Sequence, residues 1–345
     1  MLLKALTSTW NRVGEFLLDK TRIIRKNDFI VAYLFLLPAI IILFTFRIYP
    51  ALQLFWLSFR DTLLIRPMDS FIGLDNFARM LFEDPRFWNS VGNTFIFVLL
   101  SVPLQIFFAL LIALGLKRKI KGLPFLRAGY FSPVVVSMVA VSVVWQWAYH
   151  PDIGLFNYIL NSLGFESIEW LMNPYSFLSP IWFRLAPIIE AIGLNPANFE
   201  WLNISTAMLS VVLLVVWKGT GYYMVIYLAG LMDIPDILYE AAEVDGASRW
   251  QKFKHITWPL LTPTTYMVII LQIINSFQVF SSIYIMTGGG PSRRTEVLVY
   301  YIYNRAFESM EIGYASAIAL FLFVMLLILT GIQKFTIGGR VHYDR

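Results

Sequence analysis

Six long apolar runs follow one another along the chain, and each has about the length that an α-helix needs to cross a bilayer. A helix crosses the hydrocarbon core with roughly 20 apolar residues. The runs lie near residues 29–49, 91–116, 128–149, 205–229, 262–285 and 312–333. This pattern predicts an all-α integral membrane protein whose six transmembrane helices occupy a domain over residues 29–335.

The hydrophilic segments differ in charge, which predicts the side of the membrane on which each lies. Lysine and arginine crowd the segment 1–28 and the loop between the second and third runs. The loop 150–204 is acidic, with five carboxylates against one arginine. Because basic loops stay in the cytoplasm, both termini, the tail 336–345 and the polar loop 232–260 are predicted to be cytoplasmic, and the loop 150–204 is predicted to be external.

The composition agrees with a membrane protein and excludes several other classes. Of the 345 residues, 58% are hydrophobic and 14% are charged, and the mean hydropathy is +0.66, which is too apolar for an ordinary soluble domain. The net charge of +5 reflects the basic cytoplasmic flanks, and no basic stripe interleaved with aromatic residues indicates nucleic-acid binding. With no cysteine and three scattered histidines, the sequence predicts neither a disulfide nor a metal site.

The polar segment between the fourth and fifth runs predicts a helix-turn-helix. Pro235 suits the first turn of a helix, and Gly246 suits a left-handed stop, so the first helix is predicted over about 235–245. Ser248 is a suitable N-cap for a second helix that carries Lys252 and approaches Pro259. A hairpin of this kind favours docking on another protein over catalysis.

The spacing within this segment resembles a known motif. Glu240-Ala241-Ala242, then Gly246, Ile256 and Pro259 match the EAA loop of binding-protein-dependent ABC importer permeases, with Trp258 in place of the usual Leu. Five further runs resemble the carbohydrate branch, the maltose-type permeases, so that the resemblance covers about 29–334. These runs are Trp217-Lys218 to Gly221, Leu228 to Leu231, Glu243 to Ser248, Thr287 to Pro291, and Gly313 to Ala317.

The resemblance implies a type I ABC importer permease in a bacterial inner membrane, forming half of a translocation pathway and catalysing no reaction itself. It implies four kinds of partner: a second homologous permease subunit, two ATP-binding cassette subunits that hold ATP and Mg, an external solute-binding protein, and a sugar. This chain lacks the phosphate-binding pattern G-x-x-x-x-G-K-[ST] and is predicted to bind no cofactor. The ATPase-coupling residues implied by the motif are Glu240, Ala241, Ala242, Asp245, Gly246, Ile256 and Pro259.

Amide and hydroxyl groups in the fifth run are candidates for a sugar pathway. Asn275, Gln278 and Ser282 fall at i, i+3 and i+7, which predicts a shared helical face with Gln272 and Phe277 nearby. Hydrogen bonds between helices explain these polar residues equally well. In the third run, Trp145 and Gln146 are further candidates, although aromatic residues there are also typical of an interfacial belt.

Lys218 lies inside the fourth run, where an ammonium needs a partner or water. Because the resembling family often has a basic residue there, followed by Gly221, the resemblance favours a structural role at a helix interface over a role in the pathway. The insertion around 174–200 is broken by proline and charged residues, which disfavours a seventh span and favours an interfacial helix. Contact with the binding protein and a tolerated insertion without function remain alternatives for it.

The substrate suggested by the resemblance is an α-glucoside, an oligosaccharide or a related polyol. The rival function is an ATP-independent secondary sugar carrier. The absence of Asp and Glu from all six predicted spans argues against it, because proton-driven carriers usually need an intramembrane carboxylate. A membrane-embedded enzyme is a weaker alternative still, since the sequence shows no paired carboxylates and no nucleophile beside a base.

Overall fold

The computed structural model of the chain describes residues 32–63, 65, 70–117, 121–175, 190 and 204–336. The chain divides into two units, 1–57 and 58–345. The expectations for the basic segment 1–28, for nearly all of the insertion around 174–200 and for the tail after 336 lie outside the described residues.

The described part of the first unit is one helix, α1, over Ala32–Leu57. Its 26 residues are long and apolar enough to cross a bilayer. A single turn of π-helix, Phe44–Ile48, interrupts the α-helical hydrogen bonding without breaking the helix. The helix therefore extends eight residues beyond the first predicted run, which ended near residue 49.

The second unit begins with a very short antiparallel pair, β1 (Arg60–Asp61) and β2 (Ser70–Phe71), in which Arg60 lies opposite Phe71. The other regular elements among the described residues are helices, including single π-helical turns over Arg79–Glu83 and Asn304–Glu308, so the fold is essentially all-α. In chain order the helices are α2 (Asp75–Ala78), α3 (Pro85–Leu116), α4 (Leu123–Val135), α5 (Met138–Ala148), α6 (Leu155–Ser162), α7 (Thr206–Met232), α8 (Asp236–Val244), α9 (Arg249–Leu260), α10 (Thr262–Phe277), α11 (Ser281–Met286), α12 (Leu298–Tyr303) and α13 (Ile312–Thr336).

Four helices, α1, α3, α7 and α13, are long and apolar enough to cross a membrane. Two bent pairs also pass that test: α4 with α5, bent by 95°, and α9 with α10, bent by 64°. By length and composition, the described part of the chain therefore contains four spans, or up to six if each bent pair counts as one.

The prediction of one continuous helix was wrong for two of the six runs. The third run turns sharply at Val136 and Ser137, both in extended conformation, three residues after Pro133. The fifth run ends as α10 at Phe277, and α11 starts only at Ser281, with Phe280 in a non-helical conformation (φ −140°, ψ −63°) between them. An apolar run indicates burial in a membrane or a core, but it does not indicate whether the helix axis bends within the run.

The core is built on the packing of α3 against α7 along most of their lengths. Phe97, in the first half of α3, shares a buried cluster with Met208 and Val212 near the start of α7, and Ala113, near the end of α3, shares another with Tyr227 and Leu231 near the end of α7. The two helices therefore run in the same direction. Asp84 precedes α3 at one end of the bundle, and Glu240 follows α7 at the other. These ends are called the Asp84 end and the Glu240 end below.

A buried polar network fixes the Asp84 end. The Asp84 carboxylate caps α3 by accepting hydrogen bonds from the backbone N–H groups of Arg86 (3.0 Å) and Phe87 (3.2 Å). It also accepts hydrogen bonds from the hydroxyls of Tyr301 and of Tyr314, the latter at 2.5 Å. One carboxylate thereby joins α3, α12 and α13.

Cations complete this network. The guanidinium of Arg305 lies 3.7 Å from Asp84 and 3.1 Å from Glu311, and Arg79 lies 3.2 Å from the same Glu311. Burial opposes ionisation of Asp84, but the tyrosine and backbone hydrogen bonds and the charge of Arg305 outweigh it and lower the pKa of Asp84. Burial and the bond to Asp84 raise the pKa of Tyr301 to about 12, so this phenol remains a neutral donor.

We expect Asp84→Asn to lower the free energy of unfolding by about 1–3 kcal/mol, because it removes a charged acceptor from buried donors. Since the folded-state pKa is lowered, this contribution is present above the unfolded pKa of about 3.9 and is lost as pH falls through the folded value. The difference in thermal midpoint between wild type and variant in lipid nanodiscs should be constant from about pH 7 to 5 and shrink below about pH 4.

Asp152→Asn is the control, since Asp152 is exposed. A difference between wild type and Asp84→Asn that persists undiminished at acid pH, or that Asp152→Asn reproduces, would contradict the assignment.

Candidate functional site

The Glu240 end carries a short helix closed by a well-formed C-terminal motif. After α8, the backbone N–H of Ala247 donates to the carbonyl of Ala242 (2.8 Å), and that of Gly246 donates to the carbonyl of Glu243 (3.1 Å). This pair of bonds is a Schellman motif, which needs a left-handed residue. Gly246 provides it at φ +75°. The helix therefore ends at the turn that the sequence predicted, with Gly246 as its left-handed residue.

The second arm, α9, begins with a capping box. The Ser248 hydroxyl accepts from the backbone N–H of Gln251 (3.3 Å), and the Gln251 side chain accepts from the backbone N–H of Ser248 (2.7 Å). Across the turn, the ammonium of Lys252 donates to Glu243 at 2.6 Å. This bond, together with the charge of Lys252, lowers the pKa of Glu243. The hairpin between α8 and α9 is thus closed by local contacts.

The inner side of the hairpin is anchored to the bundle. The Tyr239 hydroxyl lies 2.9 Å from that of Thr257, and the ammonium of Lys117 lies 4.1 Å from the centre of the Tyr239 ring. Ile256 is half-buried and packs against the core formed by α3 and α7. Ile256 therefore supports the hairpin from inside.

The outer side of the hairpin is open. Glu240 and Ala241 are exposed, and so are three large apolar side chains: Ile237 (69%), Val244 (89%) and Trp250 (68%). Within the described residues Glu240 makes no ion pair. Ile237, Ala241 and Val244 are spaced at i, i+4 and i+7, so they share one helical face. We call this face, with Glu240 and Trp250, the docking face.

Of the other motif residues, Ala242 is half-buried, and Asp245 and Pro259 are exposed. The predicted coupling residues therefore occupy different positions: Glu240 and Ala241 lie on the docking face, Gly246 forms the turn, and Ile256 supports the hairpin from inside. Only the turn geometry was derivable from residue types alone.

A second candidate site is a cavity of about 320 Å³ between the two broken runs. We call it the Lys218 cavity. Its walls come from α3, the break between α4 and α5, α7, and the break between α10 and α11. Its polar and aromatic lining groups are Phe97, Gln105, Lys218, Tyr222, Tyr223, Asn275, Ser276, Phe280, Ser281 and Ser282.

Lys218 joins this cavity to the break in the third run. Its ammonium donates to the carbonyl of Val134 at 3.3 Å, in the last turn of α4. Carbonyls at the end of a helix have no partner within it, and a cation there is favourable. The structural role expected for Lys218 is therefore observed, although the same side chain also lines the cavity.

Two amides define the cavity from opposite sides. The Gln105 amide donates to the carbonyl of Val215 at 3.2 Å, and the Asn275 amide donates to the hydroxyl of Tyr223 at 3.2 Å. A Cβ at position 219 would lie 1.8 Å from the Gln105 nitrogen, so a larger residue would displace that amide from its present position. Amides and phenols of this kind are suitable hydrogen-bond partners for a polyhydroxylated ligand.

The predicted shared face of the fifth run is not formed. Asn275 and Ser282 both line the Lys218 cavity, but they stand on different helices, and Gln278 lies exposed at the break between them. Gln272 is fully buried, and its amide finds no hydrogen-bond partner within the described residues. Phe277 packs edge-on against Phe95 at 5.2 Å, in the core. The i, i+3, i+7 argument failed because the helix stops at Phe277.

Tyr222 and Tyr223 are cavity residues that sequence reasoning missed. Val215, Lys218, Gly219, Tyr222 and Tyr223 are spaced at i, i+3, i+4, i+7 and i+8, which is one face of α7. This stripe of polar, aromatic and small residues within an apolar helix was a readable signal.

Trp145 lines a different space, an apolar groove of about 830 Å³ with walls from α3, α4, α5 and α7. Its ring lies 5.4 Å from that of Trp217 and 5.6 Å from that of Tyr149. Gln146 is exposed and lines neither space. The structure therefore does not bring Trp145 and Gln146 together with the fifth-run candidates. Within the described ranges, no group of three or more His, Asp or Glu could hold a metal ion.

Comparison with known proteins identifies the family to which this chain belongs. The family model described as binding-protein-dependent transport system inner membrane component matches residues 78–337. The chain therefore belongs to this family, and the expected resemblance is confirmed. It is a permease subunit of an ABC importer, a membrane subunit and not an enzyme, and an EAA motif is typical of the family.

Individual relatives match over almost their whole lengths. The chain is 35% identical to a probable ABC transporter permease protein, YurN, of Bacillus subtilis, covering 90% of this chain and 97% of that one. It is 33% identical to the sulfoquinovosyl glycerol transport system permease protein SmoG of Agrobacterium fabrum (94% and 96%). It is 34% identical to the trehalose/maltose transport system permease protein MalF of Thermococcus litoralis (87% and 91%).

Solved structures share the fold. A crystal structure of a bacterial ABC transporter involved in the import of the acidic polysaccharide alginate matches with a TM-score of 0.70 at 24% identity, covering 91% of this chain and 98% of that one. A bacterial alginate ABC transporter in complex with an alginate pentasaccharide-bound periplasmic protein matches with a TM-score of 0.72 at 23% identity, covering 91% and 95%.

We expect Gly246→Ala to loosen the hairpin, because a left-handed backbone costs an L-residue about 1–2 kcal/mol. No atom lies within 4 Å of the added Cβ, so the effect should come from the backbone alone. Amide hydrogen exchange over α8 and the first turn of α9 should be faster in Gly246→Ala than in wild type.

Gly246→Asn should show a smaller increase, since asparagine tolerates this conformation. Gly115→Ala, in α3, is the control, because a Cβ there also meets open space but the backbone is not left-handed. Unchanged exchange in Gly246→Ala would contradict the conformational argument.

Proposed function

We propose that this permease carries a sugar, that the docking face receives an ATP-binding cassette subunit, and that the Lys218 cavity is its share of the pathway. The observation that carries the proposal is the separation of these two sites. The docking face lies at the Glu240 end. The cavity lies beside the middle of α7, between the two helix breaks. One subunit thus joins an energy-receiving surface to a hydrophilic space within the bundle.

The topology we propose has six spans with both termini in the cytoplasm. The bent pair α4–α5 then counts as one span and α10 belongs to the fifth, while α9 stays in the cytoplasmic hairpin. The basic residues before α1 and between α3 and α4 support this orientation. It puts the Glu240 end in the cytoplasm, where ATP is available, and the Asp84 end outside.

Coupling through α8 follows from its exposed side chains and its anchored reverse side. Ile237, Ala241 and Val244 present an apolar face that a groove in a partner would bury, and beside it Glu240 presents a carboxylate that makes no ion pair among the described residues. Because Tyr239 ties α8 to Thr257 and to Lys117, movement of the docked helix is transmitted to α3 and α9. ATP and Mg are held by the partner subunits.

The cavity is suited to a polyhydroxylated ligand that passes between two permease subunits. Asn275, Tyr222 and Tyr223 provide hydrogen-bond groups, and a second permease of the same family would supply the opposite wall. An external solute-binding protein would deliver the sugar at the Asp84 end. A related alginate transporter has been solved with its periplasmic protein, which supports this partner.

The substrate class we propose is an α-glucoside or a short oligosaccharide, with a polyol derivative as the alternative. The trehalose/maltose permease supports the first. The sulfoquinovosyl glycerol permease and an sn-glycerol-3-phosphate permease, 31% identical over 91% of this chain, support the second.

We expect Glu240→Ala to weaken assembly with the ATP-binding cassette subunits at least about tenfold, the loss typical of truncating a well-buried interface residue. The measurement is copurification of the ATPase and its stimulation by sugar-loaded binding protein in proteoliposomes. Glu166→Ala, an exposed glutamate in the loop proposed to be external, is the matched control. An ATPase that copurifies equally with both variants would refute coupling through this face.

We expect Asn275→Leu to reduce sugar uptake about tenfold, which corresponds to about 1.4 kcal/mol, because it removes a hydrogen-bond group from the cavity. ATP hydrolysis should change much less, since the docking face is intact. Uptake of radiolabelled trehalose, maltose and sucrose measures the loss. Asn161→Ala, at an exposed asparagine in the last turn of α6, is the control. Full uptake by Asn275→Leu would remove the Lys218 cavity from the pathway.

A further inference from the structure

Five aromatic side chains form a continuous series from the break after α10 to the turn after α12. We call it the aromatic ladder: Phe280, Tyr284, Tyr300, Tyr303 and Phe307. The ring centres of Phe280 and Tyr303 are 5.1 Å apart, those of Tyr303 and Phe307 are 5.2 Å apart, and Tyr284 lies 5.3 Å from both Phe280 and Tyr303. These are contact distances for aromatic pairs.

The two ends of the ladder lie in different surroundings. Phe280 lines the Lys218 cavity beside Ser281 and Ser282. Phe307 follows α12 at the Asp84 end and is 57% exposed. The ladder therefore connects the surface of the bundle with the hydrophilic space inside it.

Packing alone does not account for the ladder. Tyr300 is buried at 8% exposure and backs the series, but Tyr284 is 46% exposed and Phe307 is 57% exposed. Aromatic residues that only fill a core would be covered, because burial is the source of their stabilisation. Two of the five rings instead keep much of their surface free.

Contact with lipid is also a poor explanation. Glu308 follows Phe307 directly and is exposed, and it accepts a hydrogen bond from the Asn304 amide. A carboxylate is costly against hydrocarbon, so this part of the ladder borders water. The inner end faces the Lys218 cavity, whose lining of Lys218, Asn275 and hydroxyl groups is suited to water and not to lipid.

We propose that the aromatic ladder is a sugar-binding track along which pyranose rings move from the Asp84 end into the Lys218 cavity. This inference rests on the proposed function. One face of a pyranose ring carries mainly C–H groups, which pack on the flat face of an aromatic ring, while the sugar hydroxyls remain free for hydrogen bonds. The phenol groups of Tyr284 and Tyr303 are suitable partners for those hydroxyls.

A series of weak sites suits transport better than one strong site. Passage requires binding that is favourable enough for entry but weak enough, at each of several positions, for release. Along Phe280, Tyr284, Tyr303 and Phe307 the neighbouring ring centres are 5.1–5.3 Å apart, so a sugar leaving one ring meets the next without losing contact.

The test compares loss of the aromatic face with its retention in the complete importer in proteoliposomes. Tyr284→Leu and Phe307→Leu remove the face at the two exposed rings, whereas Tyr284→Phe and Phe307→Tyr retain it. Tyr158→Leu, at a 73% exposed tyrosine in α6, is the control. The probes are radiolabelled trehalose, maltose and sucrose, each supplied on the binding protein, and the readout is sugar taken up per ATP hydrolysed.

We expect each leucine variant to lower this ratio about fivefold, while the aromatic variants and Tyr158→Leu stay within about twofold of wild type. Loss of folding or assembly would reduce ATP hydrolysis and uptake together, and the ratio separates that effect from loss of the track. Leucine variants with the wild-type ratio, or aromatic variants that fall equally, would overturn the ladder alone. A wild-type complex that hydrolyses ATP in response to its binding protein but takes up none of the three sugars would refute the sugar assignment and the ladder with it.

Discussion

Every break in a membrane helix leaves backbone carbonyl and amide groups without their helical partners, and the architecture of this chain is arranged around two such breaks. In hydrocarbon each unsatisfied group costs several kcal/mol, so broken helices occur only where protein or a water-filled cavity receives them. Here the break between α4 and α5 faces the ammonium of Lys218, which binds the Val134 carbonyl. The break between α10 and α11 lies across the same cavity.

Because of this constraint, the same two helix breaks shape both the fold and the cavity. A straight third or fifth helix would remove both the space and the backbone groups that line it. Lys218 then has two roles, since it satisfies a helix end and also gives the cavity its charge. Gly219, next to it, leaves room for the Gln105 amide on the opposite wall. The site is therefore formed by the same contacts that hold the bent span against α7.

The two ends of the bundle differ in how they are stabilised. At the Asp84 end, buried ion pairs and hydrogen bonds join α3, α12 and α13, and Arg86 meets Glu296, which is 1% exposed, at 2.6 Å. At the Glu240 end, the hairpin of α8 and α9 is held mainly by its own turn and caps and leaves apolar side chains uncovered. The Asp84 end is therefore closed by buried charges, whereas the Glu240 end presents exposed apolar side chains.

The sequence by itself determined the membrane class, the position of the apolar runs, and the turn at Gly246 with its cap at Ser248, because these depend on local composition and backbone conformation. The spacing of Glu240, Ala241, Ala242 and Gly246 also predicted the family, which the comparisons confirm. Local signals of this kind do not depend on how the helices pack against one another.

Only the tertiary structure decided which polar residues meet. Asn275 and Ser282 line one cavity although they lie on different helices, whereas Gln272, one turn before Asn275, is buried away from it. Helical periodicity places residues correctly only as long as the helix continues, and the bend angles depend on how α4, α7 and α10 pack. Such contacts join residues that are distant in sequence, so the pattern of apolar positions along the chain does not predict them.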